Sequence, residues 1–116
     1  MNKIKPFLLI ALLAPLSVLA AETMHMDHAK ESAAQQSYQS GMDKMHGDMM
    51  QGMQSDNPDV AFAQGMTAHH QGAIDMAKTE LKYGKDPEMR KLAQEIIAAQ
   101  QPEIDRMQRW LKQQKR

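Results

Sequence analysis

This sequence predicts an all-α fold: an antiparallel helical hairpin with a methionine-rich helix ahead of it, three or four helices in a bundle. Three observations carry that prediction. Apolar side chains recur at helical spacing in three separate segments after residue 37. Two of these segments open on the same start signal, Asn57-Pro58 and Asp86-Pro87. The stretch between those two is so short that the helices must run antiparallel.

The first 20 residues lie outside that fold. Lys3 and Lys5 precede a nearly unbroken apolar run from Phe7 to Leu19, and Val18-Leu19-Ala20 supplies the small residues at which a signal peptidase cuts. The run falls short of the roughly 20 apolar residues of a membrane-spanning helix. No cysteine follows it to carry a lipid. An exported protein, periplasmic or secreted, is the expectation. The charge balance of 14 basic against 14 acidic residues loses Lys3 and Lys5 on cleavage and becomes 12 against 14, a net −2. That is no footprint for nucleic acid or for anionic lipid. What remains is one small domain without disulfides, whose core must come from packing, a metal or self-association.

The composition has one large anomaly: 12 methionines against two phenylalanines, two tyrosines and one tryptophan. Thioethers are soft donors suited to copper(I), and they are not lost to disulfide formation as thiols would be. They remain open to oxidation to sulfoxides.

Residues 21–37 are polar and open on Met24, His25, Met26, Asp27 and His28, read as a flexible tail with accessory metal donors. Residues 38–54 follow as a helix. At about 100° per residue, Tyr38, Met42, Met45, His46, Met49, Met50 and Met53 fall within an arc of roughly 140°. This face is an accessory metal surface or the apolar stripe of a packed helix. Gly41, Gly47 and Gly52 each cost about 1 kcal/mol relative to alanine, so the helix is weak alone. Asn57 then caps a helix with Pro58 in its first position, running to about Tyr83, where Gly84 can close it in the left-handed conformation. Asp86, Pro87 and Glu88 start the last helix, which continues toward Gln113.

On the middle helix, Phe62, Met66, His69, Ala73, Met76, Ala77 and Glu80 share a stripe, with His70 and Leu81 at its edge. On the last helix the stripe runs through Met89, Leu92, Ala93, Ile96, Ile97, Gln100, Glu103, Ile104, Met107, Trp110 and Leu111. Gln100 and Glu103 interrupt an otherwise apolar face, and buried polar groups need partners. With the turn near residues 85 and 86, positions that sum to about 171 lie level. Gln100 and Glu103 therefore flank the histidine pair, and Met66 falls within a turn of Met107. Imidazole and thioether would ligate a metal. Glu103 would either ligate or orient a histidine. Glu80 reads as structural, beside a lysine such as Lys91. Pro102 inside the last helix removes one backbone hydrogen bond and either kinks the helix, freeing the Ala98 carbonyl, or breaks it. A two-helix hairpin leaves its stripe half covered, to be closed by the methionine-rich helix or by a second copy in a homodimer.

The segment from Met66 through His69, His70, Met76 and Ala77, followed by Glu80, Leu81, Gly84, Ile96, Ile97, Gln100, Glu103, Ile104, Met107, Trp110 and Leu111, resembles the family known as domain of unknown function 305. The resemblance covers about residues 58–112. It implies a ferritin-like helical bundle and an association with periplasmic copper binding and with copper or silver resistance. The family's characteristic positions fall on Met66, His69, His70, Met76, Gln100, Glu103 and Met107. Ala68 stands where members often carry proline, and Pro102 is a further departure; both bear on local helix geometry.

Three functions follow from these residues. The first is a copper(I) or silver(I) binding protein that sequesters the ion or hands it to an export or delivery partner. Its metal ligands would be Met66, His69, His70, Met76, Glu103 and Met107, with Gln100 behind them. Imidazole binds metal only when neutral, so affinity should fall below about pH 6.5. The second is a metal-independent structural or chaperone-like module. The third, a di-iron oxidase, needs Glu-x-x-His pairs on two helices; the one such spacing, Glu22 to His25, lies in the tail. No nucleophile-and-base pattern or phosphate-cradling loop is present, so no enzymatic activity is expected.

Overall fold

A computed structural model describes residues 30–115, so the proposed leader and the Met24, His25, Met26 and His28 cluster lie outside the described residues. The described chain is all-α, in three helices: α1 (Ala33–Gly52), α2 (Pro58–Tyr83) and α3 (Pro87–Gln114). None is long and apolar enough to cross a membrane.

The N-terminal caps follow the sequence. Asn57 accepts from the amides of Asp59 and Val60, Asp86 accepts from the amide of Met89, and proline follows each cap. These side chains satisfy amides that no helical carbonyl can reach. The start of α1 differs from the expectation. Ser32 accepts from the Gln35 amide while the Gln35 side chain accepts from the Ser32 amide, a capping box. Residues 33–37 are therefore helical rather than tail, and α1 closes at Gly52 with Met53 as its cap.

The C-terminus of α2 also departs from the expectation. Gly84 has φ −72° and ψ 152°, extended rather than left-handed. The Arg90 guanidinium takes over the closing role, donating to the carbonyls of Leu81 at 2.7 Å and Gly84 at 3.1 Å. The Glu80 carboxylate folds over Gly84 instead of meeting Lys91, which lies 3.8 Å from Glu95. Pro102 neither breaks nor ends α3, which is continuous through it.

α2 is the middle element, and three sevenfold series along it set the architecture. Gly65, Gly72 and Thr79 face α1. Met53 packs on Gly65 and Met45 on Gly72, so close that a Cβ at Gly72 would lie 2.7 Å from Met45 Cγ. Thr79 is buried, donates to the Asp75 carbonyl and shares a 2.7 Å hydrogen bond with Ser37 of α1. Ala63, His70 and Ala77 face α3; the two alanines are buried, as are Ile74, Ala93 and Ile104. Phe62, His69 and Met76 fall between these seams and are exposed. α1 and α3 thus flank α2 on opposite sides, with no Cα of one within 8 Å of the other. The methionine-rich helix does not close the hairpin stripe.

Candidate metal centre

The rotation of α2 decides which histidine enters the hairpin. His70 continues the series that packs on α3, and its side chain is only 12% exposed. His69, 100° further round the helix, is exposed. The two rings are 6.1 Å apart between centroids and inclined at 62°.

Across the seam, His70 Nε2 pairs with the Glu103 carboxylate, as the expected register requires. A carboxylate only accepts, so Nε2 carries the proton it donates. In the neutral ring this leaves a lone pair on Nδ1. That atom is buried and has no hydrogen-bond partner. Among the described residues, Gln100 Oε1 is the second buried side-chain atom without a partner. Unpartnered buried polar atoms are rare in folded proteins and call for an explanation.

His70 and Glu103 lie in a groove of about 760 Å³ that runs along the α2–α3 seam. Met66 lines it one turn before His70, and Met107 lines it one turn after Glu103. Phe62 and Trp110 make its apolar end, with Asp59 and Arg106 also in its wall. The groove is far larger than an ion, so any ion held there would rest on side chains that close over it.

The expected ligands therefore separate. Met66, His70, Glu103 and Met107 share the groove, whereas His69 and Met76 do not line it. Met76 is exposed on α2. On α1, Met45 and Met53 pack against glycines, while Met42 and Met50 are exposed, Met49 is half-buried and His46 is exposed. Sequence reasoning passed over Arg106 and Asp59, each placed one turn from a groove residue it did name. It also passed over Arg90, whose role depends on a chain reversal.

Hard donors do not gather elsewhere. Among the described residues no group of three or more His, Asp or Glu side chains is placed to hold a metal. A metal in the groove would rely on thioether sulfur. Among the described residues the one clear electrostatic perturbation lies apart, on exposed α1, where the Asp48 carboxylate one turn on raises the pKa of Lys44. Such exposed pairs add little to stability.

A 49-residue stretch of the chain is 43% identical to an uncharacterized protein of Acanthamoeba polyphaga mimivirus. It covers 42% of this chain and 32% of that protein, so the chain spans about a third of the relative's length. The broader match is to the family described as Domain of unknown function (DUF305), over residues 12–111. Most of the chain, with α1, α2, all but the last turn of α3 and the groove residues, lies within that match; the protein belongs to the domain of unknown function 305 family.

Proposed function

We propose that the protein is an exported soft-metal binder that takes up copper(I), and silver(I) as its chemical analogue, in the α2–α3 groove. It sequesters the ion or passes it on, and so contributes to metal tolerance. The observation that carries this reading is the unpartnered, buried Nδ1 of His70, a residue that lines one groove with Met66 and Met107. One imidazole nitrogen and two thioethers form a soft donor set that fits copper(I) better than a hard divalent ion. The ion is cargo here, and the chain's own contribution is to fix the donors.

Glu103 acts behind the ligands in this reading. Its carboxylate holds the His70 proton on Nε2, which orients the ring and keeps Nδ1 open, the usual arrangement of a carboxylate behind a metal-bound histidine. His69 and Met76 drop out of the primary ligand set. With the exposed Met42 and His46, they are left as weaker capture positions.

The test is competition for copper(I) against a chelator of known affinity, with stoichiometry from native mass spectrometry. Met66→Leu and Met107→Leu keep side-chain size while removing sulfur, and each should weaken binding at least about tenfold. Unchanged affinity in both would refute the groove. A second reading draws on the exposed methionines, which could grip unfolded chains by adaptable apolar contact. It predicts suppression of client aggregation in metal-free protein and indifference to both substitutions.

A further inference from the structure

We propose that two copies of the chain associate through the methionine-rich side of the helical layer, stacking their three-helix layers face to face. The inference goes beyond metal binding and does not depend on it.

Because α1 and α3 flank α2 with no Cα of one within 8 Å of the other, the described chain is one helix thick and has two open sides. The helical repeat assigns residues to each side. One side is polar, its grooves lined by Lys44, Asp48, Gln64, Gln71, Asp75 and Lys78. The other carries Met42, Met53, Phe62, Met76, Met89 and Leu92, each between 44% and 62% exposed. These are six of the seven exposed large apolar side chains among the described residues. All three helices contribute, so the apolar surface crosses the full width of the layer.

Helical domains bury their apolar stripes by packing in at least two layers. The described residues provide one, and the buried apolar core among them is five side chains, three of them alanine. The dimensions suit a second copy. Three helices spaced about 9 Å apart and up to about 42 Å long present a face of about 1,000 Å². A stable interface takes about 800 Å² from each partner. The charged side chains at the groove margin of this face, Asp59, Glu103 and Arg106, carry both signs. The same surface on both copies gives a closed two-fold pair.

The experiment uses protein recovered from the exported fraction, its start read by intact mass, with copper chelated so that the outcome is independent of the metal reading. Sedimentation from micromolar to submillimolar concentration should give twice the chain mass. Met76→Glu on α2 and Leu92→Glu on α3 should each give the single-chain mass with helicity retained. Lys78→Glu on the polar side should stay dimeric. Methionine oxidation by peroxide provides a readout without substitution: Met42, Met53, Met76 and Met89 should slow as dimer forms, while Met50 should not. A wild-type chain that stays monomeric throughout overturns the proposal. So does a dimer that survives both face substitutions, or one in which those four methionines oxidise at unchanged rates. A monomeric chain that still carries residues 1–20 would identify the leader as the occupant and equally overturn it.

Discussion

His70 is the residue on which the site turns. It sits between two buried alanines of the same series, one seven residues before it and one seven after, so its ring enters the α2–α3 seam. Burial there demands partners, and Glu103 supplies one of two. If that carboxylate holds the ring for a metal, Glu103→Leu should lower copper(I) affinity by about 10- to 100-fold while leaving stoichiometry at its wild-type value. Glu103→Gln should lose less, because its amide oxygen can still accept from Nε2. Arg90 has a structural counterpart of this role. Its guanidinium serves two carbonyls at the end of α2, and Arg90→Ala should cost about 2 kcal/mol in denaturant unfolding.

Among the elements, glycine divides α1 and α2 into positions that need it and positions that do not. At Gly72 a Cβ would meet the base of the Met45 side chain, at 2.7 Å from Cγ and 3.0 Å from Cβ. Met45 can escape only by leaving the seam, so Gly72→Ala should destabilise by about 1–3 kcal/mol despite its better helix propensity. At Gly47 nothing lies within 4 Å, and Gly47→Ala should stabilise by up to about 1 kcal/mol. Thermal unfolding of the two variants should move in opposite directions. Pro102 is exposed within a continuous helix, as is Ala98, whose carbonyl it leaves free for solvent. Pro102→Ala restores one helical hydrogen bond and should raise stability, by at most about 3 kcal/mol. The boundaries of α2 and the start of α3 were legible because Asn57-Pro58 and Asp86-Pro87 are local signals. The start of α1 was not, because its Ser32 and Gln35 box precedes a polar stretch without an apolar stripe. Gly84 escaped prediction because a residue six positions on closes the helix in its place.

At the scale of the whole molecule, the sequence held the hairpin register but not the rotation of α2. Counting levels from the turn was enough to set Glu103 beside the histidine pair. Choosing His70 over His69 required knowing that Gly65 and Gly72 turn toward α1, which leaves the next seam to α3. Nor did periodicity reveal that α1 packs on the far side of α2, since an amphipathic stripe does not name its partner. That arrangement leaves the layer open and sets His69 and Met76 apart from the groove. The groove itself lies along the apolar side through Phe62 and Met66. Association through that side would therefore shield it, and chelators should extract copper more slowly as protein concentration rises.

The most direct measurement separates the two neighbouring histidines in a copper(I) competition titration. With Nδ1 of His70 as the ligand, His70→Ala should weaken binding at least about tenfold, and His69→Ala should leave it within about twofold. Equal losses in the two variants, or affinity unchanged in His70→Ala, would contradict the groove as the copper site.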